Sequence, residues 1–168
     1  MAIRDIIIYG HPTLRMKSSK VEEFNEELKR LVHDMVETMY AEPGVGLAAN
    51  QVDVPLQVAV VDITVGEDPD SLIVLVNPEI TQTEGTQDGE EGCLSIPGIQ
   101  TSLERPSRVT VRAQNLQGKP FTITGEGLLA RAFCHEIDHL NGVLFIDHLT
   151  GLQKKVIQRK LQRMAKSA

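Results

Sequence analysis

The chain contains no tryptophan, and aromatic residues make up only 4% of its 168 positions. Platforms for stacking on exposed bases are therefore scarce. Cysteine is nearly absent as well, with Cys93 and Cys134 alone. One disulfide is arithmetically possible. Without a secretory leader, however, free thiols or a metal ligand are the expectation, with no disulfide partner. The longest strongly apolar stretch, Leu72 to Val76, falls far short of the roughly 20 residues that span a bilayer. The opening Met1-Ala-Ile-Arg-Asp mixes acid and base and has no long apolar core behind it, unlike a secretory signal. These absences predict a cytoplasmic protein with no membrane association. No repeat or low-complexity linker interrupts the chain. Its length, with 41% hydrophobic and 24% charged residues, predicts one domain spanning residues 1–168 with an ordinary core.

The charge is unevenly distributed. From Thr150 to Ala168 there are six basic side chains (Lys154, Lys155, Arg159, Lys160, Arg163, Lys166) and no carboxylate. The preceding 149 residues carry the remaining 11 basic and all 23 acidic groups, a net of −12 within a total of −6. A globally basic nucleic-acid binder is excluded. A basic tail, residues 151–168, on an acidic body predicts an extension with its own partner, separable from whatever the body does.

Hydrophobic periodicity sets the elements. Val21, Phe24, Leu28, Leu31, Val32, Met35, Val36 and Met39 recur at helical spacing, with Asn25 as N-cap and Pro43-Gly44 as terminator. Short apolar runs at 57–63, 72–80, 109–113 and 121–124 read as strands, the last two joined by a turn at Gly118-Lys119. A second helix fits Gly127 to Leu140, stopped by Asn141-Gly142, and a third fits Leu152 to Ala165. Strands grouped between helices predict an α+β fold with mostly antiparallel sheets around a central helix, flanked by an N-terminal and a C-terminal helix.

That central helix carries His135-Glu136-Ile137-Asp138-His139. Residues four apart lie one turn apart on one face, so His135 and His139 can share one metal ion. Glu136 is turned about 100° from them, a neighbour of the ion rather than a ligand, and is placed to take a proton from water. Two incidental histidines would give the same spacing. Leu128 and Ala132 continue their face, however, which makes it buried or cleft-lining. A metallopeptidase that cleaves internal peptide bonds is one reading of this motif. The metzincin pattern asks for a third histidine at the position of Phe145, and His148 is off pattern.

Two further segments carry chemistry. Glu91-Gly92-Cys93-Leu94-Ser95 offers a thiolate that suits a site with two imidazoles. Cys134, directly before His135, points away from the histidine face and reads as core. Gly44-Val45-Gly46-Leu47-Ala48-Ala49-Asn50-Gln51 leaves room for a ligand against the backbone, and Gln51 offers an amide donor to an oxyanion.

Taken in order and roughly 40 residues apart, these three segments resemble the motifs of the peptide deformylases. The resemblance runs over nearly the whole chain. It includes the Tyr-Ala-x-Pro-Gly lead-in at 40–44 and a basic C-terminal helix like that of the bacterial enzymes. It implies a metal-dependent hydrolase that removes the formyl group from N-formylmethionyl nascent polypeptides and releases formate. By motif, Cys93, His135 and His139 are the metal ligands and Glu136 the general base and then acid. The Gln51 side chain and the Leu94 backbone N–H are the oxyanion donors. Val45, Gly46, Glu91, Gly92, Leu128 and Ala132 fall in the substrate site, where the peptide pairs like an added strand. Arg131 stands where some relatives have an apolar residue. The resemblance further implies one divalent ion, natively Fe2+ with Ni2+, Co2+ or Zn2+ as substitutes. It also implies a monomer that docks near the ribosomal exit tunnel through its basic C-terminal helix.

Overall fold

The structure, a computed structural model, describes residues 2–167, with side chains described as far as Met164. Asn25 opens the first helix, α1 (Glu26–Ala41), by accepting the Leu28 N–H on its side-chain oxygen at 3.1 Å. Glu26 and Glu27 lie in its first turn, where the helix dipole favours negative charge. Leu28, Leu31, Val32, Met35 and Met39 form its buried stripe. Each such side chain is worth about 1.5–3 kcal/mol when fully buried.

A five-stranded antiparallel sheet follows. It is built from β1 (Gly46–Ala48), β2 (Val58–Val61), β3 (Ile73–Glu84), β6 (Arg108–Gln114) and β7 (Pro120–Glu126), which lie side by side in that order. β4 (Gln87–Cys93) and β5 (Ile96–Arg105) form a separate antiparallel hairpin. The sheet register slips between Val76 and Glu79. There Asn77 adopts a positive φ of 51° and its side chain bonds both the N–H and the C=O of Val21. Pro78, which cannot donate to a ladder, sits at that slip.

α1 packs on one face of the sheet, with Leu47, Val58, Val60 and Val76. The second helix, α2 (Leu128–Leu140), packs on the other, where Ala130, Phe133, Cys134 and Ile137 meet Ala59, Leu75, Val109 and Val111. α2 ends where the sequence predicts, at Asn141-Gly142. Gly142 has φ +75°, and a Cβ there would collide with the Arg15 backbone. The fold is thus α+β with antiparallel sheets around α2. Among the described residues, no helix is long and apolar enough to cross a membrane, and Cys93 and Cys134 are both free.

Two features differ from the sequence-based expectation. Strands β1, β4 and β5 were not among the predicted strands. The third helix, α3 (Gly151–Ser167), is not a detached arm. Ile157 and Leu161 are buried in a third cluster with Ile96, Ile99, Leu103, Phe145 and Leu149. Gln153 also donates to Ser102 O at 2.6 Å and to Thr101 Oγ1. The basic residues Lys155 and Arg159 remain exposed.

Candidate metal centre and cleft

α2 places His135 and His139 on one face, as their spacing requires. Their Nε2 atoms lie 3.1 Å apart, and Cys93 Sγ lies 3.3 Å from His139 Nε2. Cys93 enters from the end of β4. The three donor atoms lie within 4.8 Å of one another. One soft thiolate and two imidazoles fit a transition-metal ion and are ill suited to magnesium or calcium.

The His135 side opens onto a buried charge network. Its Nδ1 donates to Glu91 Oε2 at 2.8 Å, which leaves Nε2 free to face the other two donors. Glu91 also accepts from Arg105 at 3.0 and 2.7 Å and from Arg131 Nη1 at 3.0 Å. Burial alone would raise the Glu91 carboxyl. Hydrogen bonds from His135 and Arg105 outweigh it and hold the group well below the ordinary carboxylate range. Arg105 continues to Asp138 at 2.8 Å, and Asp138 holds His148 at 2.9 Å. His148 is therefore tied to this outer network and lies away from the three donors. For His139, burial together with the neighbouring His135 holds the imidazole well below its usual value, so it stays neutral, as a ligand must.

Glu136 is 3% exposed, and its Oε1 has no hydrogen-bond partner among the described residues. Burial, with the Glu91 and Asp138 charges adding to it, pushes this carboxyl up to about 7. A proton-transfer group is most effective near the working pH. β1 runs directly over it, and a Cβ on Gly46 would overlap the Glu136 carboxylate. That close approach is why the first motif needs glycine there.

Gln51 sits in the short 3-10 turn 49–52 after β1. Its Oε1 accepts the Ala48 N–H at 3.0 Å, which turns Nε2 toward Cys93 Sγ at 3.7 Å and Ser95 Oγ at 3.2 Å. The N-terminal segment braces both partners: Ile7 N–H donates to Gln51 O and Tyr9 N–H to Ser95 O, each at 2.8 Å. Asn50 donates to the His139 carbonyl and fastens the same turn to α2.

One cleft of about 770 Å³ joins these groups. Its walls include Val45, Gly46, Gln51, Glu91, Gly92, Cys93, Leu94, Leu128, Ala132, His135 and Glu136, so every sequence-predicted site residue except His139 lines it, and His139 lies directly behind. Leu128 is half exposed at the rim, whereas the Glu91 carboxylate points inward to its network. Cys134 is buried among the α2 core residues, and burial raises its thiol to about 11. Phe145 stacks near His135, with ring centroids 6.0 Å apart. An apolar ring thus stands where a metzincin would supply its third ligand.

The Arg105–Glu91–Arg131 support was not foreseen. Arg105 is 14 residues from Glu91, and Arg131 is 40. Neither spacing produces a local sequence signal.

A model of the polypeptide deformylase family matches residues 3–155. A peptide deformylase of Acidobacterium capsulatum is 49% identical over 167 residues, covering 99% of this chain and 98% of its own. One from Aquifex aeolicus is 45% identical over 166 residues, covering 98% of each. Among solved structures, a Legionella pneumophila peptide deformylase superposes with a TM-score of 0.90 at 46% identity, covering 98% of this chain and 96% of its own. A plant peptide deformylase superposes with a TM-score of 0.93 at 38% identity, covering 98% and 90%. The internal-peptidase alternative has no such support. A thiolate from β4, two histidines one turn apart and a family match spanning all three segments lead to one conclusion: the chain belongs to the polypeptide deformylase family, metal-dependent hydrolases that remove the N-formyl group from newly made proteins.

Proposed function

We propose the following division of labour for formyl hydrolysis. Cys93, His135 and His139 hold one divalent ion, Glu136 moves the proton, and Gln51 Nε2 with the Leu94 N–H steadies the formyl oxygen. When bound, the ion supplies Lewis acidity, lowering the pKa of a water and offsetting charge on the substrate carbonyl. Glu136 takes a proton as the water oxygen bonds to the formyl carbon. The carbonyl π electrons move to oxygen, where Gln51 and Leu94 donate to the developing charge. Glu136 then returns the proton to the amide nitrogen as the C–N bond breaks, releasing formate and a free N-terminal amine.

The methionine side chain lies against Val45, Leu128 and Ala132, and the peptide backbone pairs beside Gly46 and Gly92. Glu91 acts as a positioning residue that fixes the His135 ring. The buried, unpartnered Glu136 oxygen beside three converging metal donors carries this reading.

The resident ion on this proposal is Fe2+, with Ni2+, Co2+ and Zn2+ as substitutes, and the Cys93 thiolate makes the iron form prone to oxidation. On the same proposal the enzyme works in the cytoplasm as a monomer. The exposed basic face of α3 meets ribosomal phosphate near the nascent-chain exit. Protein purified anaerobically should contain iron, release formate from formyl-Met-Ala-Ser and leave casein intact. Casein cleavage without formate release would overturn the assignment.

A further inference from the structure

Among the described residues, all but one of those lining the cleft come from segments 43–51, 90–100 and 128–136. The exception is Lys160, from α3. It lies beyond residues 3–155, the span matched by the family model. Its position is well determined by its neighbours. Ile157 and Leu161 are buried in the cluster that contains Ile96 and Ile99, two residues of the cleft wall. Gln153 pins the start of the helix to β5. Lys160 is therefore carried on a packed helix to the β5 side of the cleft, away from the α2 wall formed by Leu128, Arg131 and Ala132.

Of the cations lining the cleft, Arg131 is buried and already donates to Glu91 Oε1 and Leu103 O at 3.0 Å each. Lys160 is exposed and can meet a substrate group. The exposed charge facing the cleft from β4 is Glu90. A peptide extended beside Gly92 advances about 3.3 Å per residue. Once its first side chain is seated against α2, the following residues pass between these two charges.

We propose that Lys160 is a specificity-determining residue, favouring nascent chains with an acidic side chain shortly after the formylmethionine. This rests on the substrate placement described above. It gives α3 a role inside the cleft as well as on the outer surface.

The test is a series of amide-capped peptides, formyl-Met followed by Ala and Ser, with a single Glu, Gln or Lys walked through positions two to four. The readout is the Glu-to-Lys ratio of kcat/KM within each enzyme preparation, which cancels differences in metal loading. An exposed ion pair contributes at most about 1 kcal/mol, so the wild-type ratio should reach about two- to fivefold at one position, carried by KM. Lys160→Gln should lower the ratio, with Glu90 left as the exposed charge on the other side, and Lys160→Glu should invert it. At an ionic strength of about 1 M, where the screening length is about 3 Å, the wild-type preference should also fade. Formate release with the same ratio in wild type and Lys160→Glu would overturn the role of Lys160 alone. Failure to release formate from any peptide by the metal-loaded wild type would overturn the substrate placement and this proposal with it.

Discussion

Helices α2 and α3 are similar in length and opposite in use. α2 buries ten of its 13 residues, among them Arg131, His135, Glu136 and His139. In α3, the buried members among the described side chains are Ile157 and Leu161. Apart from Glu136, whose carboxyl is raised by burial, the charges of α2 are answered: Glu91 answers His135 and Arg131, and Arg105 answers Asp138. On α3, Lys155 and Arg159 are exposed to solvent, where they can meet a partner. Buried charge here supports chemistry, and exposed charge is left over for recognition.

Breaking the α2 network should have the largest effect on stability. Arg105→Met leaves Glu91 and Asp138 facing each other without their shared cation. The expected loss, read by urea unfolding, is about 3–5 kcal/mol for breaking a buried ion pair by removing one partner, held toward the lower figure by Arg131 and His135, which still donate to Glu91. A loss under 1 kcal/mol would mean that the network is solvated. On α3 the sensitive position is apolar. Ile157→Ala should cost about 2–4 kcal/mol by cavity formation. It should also lower formate release, because its cluster includes Phe145, which stacks on His135. For the same reason, deleting the chain from Lys154 onward should impair hydrolysis, contrary to the separable tail that composition suggests.

Acid separates the two helices further. The folded Glu91 carboxyl lies below its ordinary value of 4.5, so the unfolded chain binds its proton first as pH falls. The stability it contributes is full above about pH 4.5 and is lost as pH drops toward the folded value. In metal-free protein, Glu91→Gln should therefore show a shallower fall in stability below pH 4.5, by up to about 1.4 kcal/mol per pH unit. An unchanged slope would contradict the depressed carboxyl. α3 contains no carboxylate to titrate in this way. The smallest effect belongs to its outer face. Lys155→Glu with Arg159→Glu should change stability by no more than about 0.5 kcal/mol per site while weakening ribosome co-sedimentation at low salt. Equal co-sedimentation would remove the ribosome from the proposal.

The same contrast governs what could be read in the sequence. α1, α2, α3 and the strands β2, β3, β6 and β7 announce themselves through apolar period. β1 is three residues long and was read only as part of a motif. β4, with the sequence Gln-Asp-Gly-Glu-Glu-Gly-Cys, has no apolar alternation because its side chains answer polar partners: Gln87 bonds Pro106 O and Gly127 O, and Glu91 bonds Arg105. In β5 the apolar residues Ile96, Ile99 and Leu103 fall at spacings of three and four, without strand alternation. At the site, the two histidines and Glu136 are visible because one helix encodes their geometry. Cys93 comes through the family resemblance. The Arg105 and Arg131 supports and Lys160 depend on tertiary contacts, and each alone looks like an ordinary surface charge.

The central claim is that Glu136 carries the proton while Cys93, His135 and His139 carry the ion, and one paired measurement on Glu136→Gln tests it. Metal per chain and formate release from formyl-Met-Ala-Ser would be determined on the same anaerobic preparation. The account predicts metal content equal to wild type with kcat reduced at least about 10²–10⁴-fold, the usual cost of losing a general base. Loss of the metal from Glu136→Gln, or full metal with activity within tenfold of wild type, would contradict it.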